Sequence, residues 1–196
     1  MNILEAYLKN FNQIIILIFG LPCTNKSEIA KELGSDLKLE IIKINDFLIK
    51  DKYKEVEIDE FKIKIYEHTD NYDWDKLNLK INDAKKKGVI IYGNYLDIDK
   101  INWKIDFAFF YFMNVKNCQE ILLEKKMIDD NLSKKALSKY FSKYLNILYD
   151  ELKKKIKINK FFKINNEITF VNSYDLIFDT LMELILQSLN EKFKSK

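Results

Sequence analysis

The chain contains no arginine, so all 33 of its basic residues are lysine. Lysine carries a compact point charge without the planar fork that grips two oxygens at once, and any phosphate clamp here must be assembled from single ammonium groups. The accompanying surplus of Ile, Lys, Asn, Phe and Tyr is what a strongly A+T-biased genome produces, and it accounts for the missing arginine without selection at a site. Two cysteines, Cys23 and Cys118, are too few for a disulfide scaffold and lack metal-ligand spacing, which points to reduced thiols in a cytosol-like compartment. The one histidine, His68, has no companion ligand and reads as a surface residue. There is one proline, Pro22, and no Gly/Ser-rich linker or internal repeat, so residues 1–196 read as one domain. The longest apolar runs, 14–19 and 107–113, are far too short to cross a bilayer, and the N-terminus has no signal-peptide pattern. A soluble cytoplasmic protein with no membrane partner is expected. The net charge of +3 is too balanced to argue for nucleic acid.

What the chain does have is an apolar run over 14–19 that feeds Gly20-Leu21-Pro22-Cys23-Thr24-Asn25-Lys26-Ser27 and then a short amphipathic segment. A loop between a buried strand and a helix turns its backbone N–H groups inward and adds the positive end of the helix dipole, which suits a phosphate chain. In such a loop Lys26 reaches the outer phosphates and the Ser27 hydroxyl holds magnesium. The pattern G-x-x-x-x-G-K-[ST] is met except at its second glycine, here Asn25, the residue type after glycine that best tolerates positive φ. Gly20, Cys23, Thr24, Asn25, Lys26 and Ser27 are therefore the candidate nucleotide-binding residues, with ATP and Mg2+ as the implied cofactors. The plainer alternative is a strand that ends at Gly20 with Lys26 in solvent.

Strand-like segments at 14–19, 39–44, 89–92, 107–113 and 168–171 alternate with helix-like ones, which predicts a parallel sheet in a three-layer α/β/α sandwich. Between them lie a helix at 26–33, a segment at 53–66, a helix at 73–87 closed by Gly88, and one at 116–129. A long amphipathic helix follows over 134–157, and a last helix over 174–189. Residues 1–11 read as a short helical extension and 191–196 as a frayed tail.

In open α/β sheets ligands bind at the carboxyl ends of the strands. After the second strand, Asp46 is placed to accept the proton of an attacking hydroxyl or to coordinate magnesium through water, although an aspartate there equally serves as a helix cap. The cluster from His68 to Asp75 offers carboxylates, an amide and aromatics that could grip a ribose and stack a base, while Asp73 and Asp75 also suit the first turn of a helix. It lacks EF-hand spacing. Gly93, at the end of the third strand, implies a close backbone approach to phosphates. Lys125 and Lys126 fall where a lid would cover the nucleotide, or on a solvated face. No Asn-Lys-x-Asp motif follows a late strand, which disfavours a signalling GTPase.

The order of these motifs resembles the uridine kinase and nicotinamide riboside kinase group of P-loop nucleoside kinases, over most of the chain. The resemblance rests on the loop from Gly20 to Ser27, on Asn45-Asp46-Phe47 beside the family's Asp-Asp-Phe, and on Asn71-Tyr72-Asp73 beside its Asn-aromatic-Asp. Val89 to Gly93, beside its apolar-Glu-Gly strand end, and the tyrosine-rich stretch 139–149 complete it. It implies a P-loop NTPase fold with a five-stranded parallel sheet in the order 2-3-1-4-5, and transfer of the γ-phosphate of ATP to the 5′-hydroxyl of a small nucleoside-like substrate. Asp73 would then hold the ribose, with Tyr72 and Asn45 beside it, Ser27 and Asp46 would serve magnesium, and Lys26 and Asp46 would be catalytic. The family's first aspartate aligns with Asn45, its magnesium-linked glutamate with Tyr92, and its lid arginines with nothing closer than Lys125 and Lys126. Positioned bases contribute roughly a hundred- to ten-thousand-fold in rate, so a catalytically degenerate nucleotide-binding protein is the second expectation.

Overall fold

The computed structural model describes residues 2–124, 134–156, 161–165 and 170–194. Its centre is β1 (Ile15–Gly20), buried along its whole length because helices cover both faces of the sheet. Ile15, Leu17 and Phe19 point into one apolar layer and Ile14, Ile16 and Ile18 into the other, as a strand's two-residue period requires. The first layer is completed by α3 (Trp74–Ala84), α4 (Val115–Glu124), α5 (Lys134–Tyr140) and α6 (Asn146–Lys155). The second is completed by α1 (Ile3–Phe11), α2 (Lys26–Leu37) and α7 (Phe170–Lys194).

Beside β1 lie β5 (Val89–Gly93) and β6 (Phe107–Phe112), flanked in turn by β2 (Glu40–Lys43) and β7 (Phe161–Asn165), every pairing parallel. The sheet therefore runs β2-β5-β1-β6-β7. This chain numbering differs from the expected 2-3-1-4-5 because an antiparallel hairpin, β3 (Lys54–Ile58) and β4 (Phe61–Ile65), is inserted after β2 and forms its own two-stranded sheet. The hairpin occupies the segment 53–66, and its cause is local. Val56, Ile58, Ile63 and Ile65 alternate with charged residues, and Asp59 makes the turn at φ 54°. The last sheet strand also differs from expectation. It forms at Phe161–Asn165 rather than 168–171, of which residues 168 and 169 lie outside the described residues and 170 and 171 begin α7. Two short β-branched and aromatic runs lie close together there, and composition alone does not choose between them.

The helix expected over 134–157 is broken into α5 and α6 by a π-helical turn, Phe141–Leu145. Such turns shift the helix face and recur at functional sites. At the other end of the molecule, α7 continues through the predicted frayed tail to Lys194. Leu189 is buried, and the Lys192 ammonium donates to the Asn10 carbonyl while standing 4.5 Å from the centre of the Phe11 ring. The N-terminal extension supplies that dock. It is the helix α1, opened by a reciprocal capping box between Asn2 and Glu5.

Candidate active site

The phosphate-loop candidate crosses from the C-terminal end of β1 to the N-terminus of α2. Gly20 makes the crossing at φ 135°, and a Cβ there would stand 2.0 Å from the Tyr111 carbonyl oxygen, so no side chain fits. Leu21 N–H then donates to that same carbonyl at 3.1 Å, which pins the loop to β6. The left-handed residue inside the loop is Cys23, at φ 61°, and not Asn25, which has φ −74° and caps α2. The substitution at the second motif glycine thus causes no backbone strain at Asn25.

Lys26 is 4% exposed, and its ammonium donates to the Leu21 carbonyl at 2.5 Å and to the Thr24 hydroxyl at 2.7 Å. Burial lowers its pKa to about 7, against the opposing influence of Cys118, Cys23, Glu67 and Glu28. Contact with Cys23 and then burial hold the Cys118 thiol well above the usual thiol range. The Ser27 hydroxyl donates to Glu28 Oε2 at 2.8 Å.

These loop residues line a cleft of about 300 Å³ whose opposite wall is Lys43, Asn45, Tyr92, Gly93 and Asn94. It lies at the carboxyl ends of β1, β2 and β5, where the open-sheet rule places a ligand. Asn45 stands in the cleft, with its Oδ1 buried and without a hydrogen-bond partner among the described residues. Asp46, the expected base, does not line the cleft. Its side chain is 68% exposed and stands 3.9 Å from Lys43. Tyr92 is a cleft residue whose phenol is raised in pKa by partial burial and then by the charges of Asp46 and Glu28. Gly93 also lines the cleft, but what crowds its Cα is Ile44, whose Cβ would be 2.9 Å from an added methyl group.

No residue of the second candidate cluster lines this cleft, although Asp73 N–H donates to the Phe47 carbonyl at 2.9 Å, two residues beyond Asn45. Asp73 is exposed and caps α3, accepting from Lys76 N–H at 3.0 Å. Tyr72 is buried, 5.3 Å from Trp74 and 5.7 Å from Tyr95 between ring centres. His68 is partly exposed and its Nδ1 accepts from Asp70 N–H at 3.2 Å. Lys125 and Lys126, the lid candidates, lie outside the described residues.

Two positions at the site were not among the sequence candidates. Glu67 is 7% exposed, and it and Lys26 are the only buried Lys, Asp or Glu residues among the described residues. Its Oε2 accepts from Tyr140 O–H at 2.5 Å, and its backbone carbonyl accepts from Tyr144 O–H at 2.7 Å. The π-turn after α5 is the distortion beside these two phenols, whose rings stack at 5.7 Å. Tyr149 is the other. Its buried phenol donates to the Gly20 and Asn94 carbonyls, 3.0 and 2.8 Å away, and so ties the start of the loop to the far wall of the cleft.

No protein-family model and no curated protein matches the sequence. Solved structures do match in shape. A gluconokinase from Sinorhizobium meliloti superposes with a TM-score of 0.57 at 6% identity, covering 94% of this chain and 98% of that one. The YorR protein of Bacillus subtilis, solved with phosphorylated GDP, gives 0.53 at 18% identity, covering 86% and 96%. The chain shares its α/β fold, built on a parallel sheet, with these two proteins. In this fold the loop of Gly20 to Ser27 and the cleft beside it occupy the mouth of the sheet.

The oxygen donors in the cleft fit a hard divalent cation: the Ser27 hydroxyl, the Glu28 carboxylate and the orphaned Asn45 Oδ1. Asp46 would join them only through a change in its side-chain direction.

Proposed function

We propose that this chain is an ATP-dependent phosphotransferase that delivers the γ-phosphate to a hydroxyl of a small molecule, with the 5′-hydroxyl of a nucleoside as the first candidate. The observation that carries this reading is the cleft at the N-terminus of α2, where a glycine-turned loop, a buried lysine and a serine converge. Backbone N–H groups and the helix dipole favour an anion there. Lys26 would release its two loop acceptors to the outer phosphates and neutralise charge on the transferring group. Magnesium, held by Ser27 and its neighbours, would neutralise β- and γ-oxygen charge. Asp46, once its side chain turns from Lys43 toward the cleft, would take the proton of the acceptor hydroxyl, and Asn45 would contact the acceptor. The nucleotide in the YorR structure and the kinase name of the Sinorhizobium protein support the reading.

One observation favours a second reading. The only carboxylate lining the cleft among the described residues is Glu28, while Asn45 and Tyr92 stand where the nucleoside kinase resemblance places acidic residues. A nucleotide-binding protein that has lost turnover would look the same.

ADP release from Mg-ATP, measured with pooled nucleosides that include nicotinamide riboside and compared with Lys26→Ala, separates the two. Acceptor-dependent ADP that vanishes in the variant supports the kinase, and splitting the pool names its substrate. ATP binding without any such release supports the binding protein.

A further inference from the structure

The chain's only two cysteines are 95 positions apart, yet the fold brings them together at the phosphate loop. The Cys118 thiol, on the first turns of α4, donates to the Pro22 carbonyl at 3.2 Å and is in side-chain hydrogen-bond contact with the thiol of Cys23. Cys23 is partly exposed, lines the cleft and is the loop's left-handed residue, whereas Cys118 is fully buried. One thiol is therefore open to a reagent arriving through the cleft, and the second waits behind it.

We infer that Cys23 and Cys118 form a reversible thiol–disulfide modification site, oxidised by low-molecular-weight disulfides, that locks the phosphate loop to α4. In the first step the Cys23 thiolate attacks one sulfur of the small disulfide, forming a mixed disulfide and expelling one small thiolate. In the second, the Cys118 sulfur, giving its proton to that thiolate, attacks the Cys23 sulfur and expels the other half of the reagent. Two protein thiols are oxidised, and one small disulfide is reduced to two small thiols. Cys23 lies just ahead of the N-terminus of α2, whose positive end suits the negative charge of an attacking sulfur. Reduction by a dithiol reverses both steps.

The lock acts on the part of the loop that has to move. Cys23 and Thr24 line the cleft, and a disulfide confines the Cα atoms it joins to a narrow range of separations. A loop tied to α4 through residue 23 cannot rearrange its N–H groups around a phosphate chain, and losing even one charge-assisted contact weakens binding by about tenfold or more.

The test uses the full chain treated with glutathione disulfide, read by intact mass and by titration with a non-hydrolysable ATP analogue. The expected product has lost two hydrogens and carries no glutathione, binds the analogue at least about tenfold more weakly than reduced protein, and recovers with dithiothreitol. Cys118→Ala, whose substitution lies outside the cleft wall, is expected to stop at a glutathione adduct on Cys23. A wild-type protein that keeps both thiols, or that also stops at the adduct, overturns the inference, as does a cross-linked protein that binds the analogue as tightly as the reduced one. Reduced protein that binds no analogue refutes the nucleotide reading and the proposed lock on binding, while the mass measurement still decides whether the thiol pair reacts.

Discussion

On the proposed function, Lys26 would make nucleotide binding depend on pH in a direction set by its burial. In the free protein its pKa is about 7, because burial disfavours the ammonium. A bound triphosphate reverses that balance by placing negative charge beside the amine, so the complex keeps the proton and only the free protein titrates. Binding then weakens as pH rises through 7, by about fivefold from pH 7 to 8 and about fiftyfold from pH 7 to 9, the latter worth about 2.3 kcal/mol. Ionisation of the terminal phosphate strengthens binding as pH rises and so adds no slope of this sign. Folding stability has the opposite trend. The unfolded lysine titrates at its ordinary 10.5 and binds more protons than the native one above pH 7, so the free protein gains about 1 kcal/mol from pH 7 to 8. Isothermal titration with a non-hydrolysable ATP analogue at fixed ionic strength measures the first effect, and denaturant unfolding at the two pH values measures the second. Glu67→Gln removes a charge that holds the Lys26 pKa up, so its binding profile is expected to shift toward acid with the same affinity at its low-pH plateau. A wild-type affinity constant within twofold from pH 7 to 9 would falsify the account of Lys26.

Three further substitutions probe the frame around that lysine. Gly20→Ala brings a methyl group into the Tyr111 carbonyl at a backbone angle alanine avoids, and is expected to cost roughly 3 kcal/mol or more in urea unfolding and to abolish analogue binding; retention of both overturns the geometry of the turn. Tyr149→Phe leaves two buried carbonyls without their phenol, and a loss of about 1–3 kcal/mol is expected, read as a lower Tm with weakened analogue binding; an unchanged Tm would show that the tether is idle. Asn45→Asp puts a carboxylate at the cleft wall, and acceptor-dependent ADP release is expected to rise at least about a hundredfold, the low end of what a positioned base contributes; no rise leaves that role with another base, such as Asp46.

The central strand and its loop were readable because their signals are local. A β-branched and aliphatic run ending in glycine and followed by Lys-Ser needs no distant partner to be interpreted. The hairpin was equally local, since Val56, Ile58, Ile63 and Ile65 alternate around the Asp59 turn, but a strand period inserted between parallel strands does not belong to the simple alternation of strand and helix. Asp46 and Asn45 show the limit of one-dimensional placement. They are adjacent in sequence and lie in a single 3₁₀ turn, Ile44–Phe47, so a rotation of about 120° per residue decides which one meets the cleft. The fold turns Asn45 inward and leaves Asp46 beside Lys43. Glu67 carried no readable signal at all. Its neighbours are polar and its burial is created by Tyr140 and Tyr144, more than seventy positions away, through a π-turn that no apolar periodicity announces.

The absence of arginine gives these electrostatics their sharpness. An arginine guanidinium stays charged in any protein environment, so a clamp built from it is insensitive to burial. A lysine responds to burial by shedding its proton, and this site places its lysine in the core, at 4% exposure, with the carboxylate of Glu67 as the only other buried charge among the described residues. No ion pair joins the two within 4 Å among those residues, so Glu67 supports the ammonium through the low-dielectric interior without neutralising it in a contact pair. That arrangement leaves the donors of Lys26 committed only to a carbonyl and a hydroxyl, both of which a phosphate can displace. It also makes the charge of the candidate phosphate loop a quantity the protein sets by burial, so every change that loosens the packing around Tyr140 and Glu67 is expected to show as a shift in the pH dependence of the proposed binding before it appears as a loss of fold.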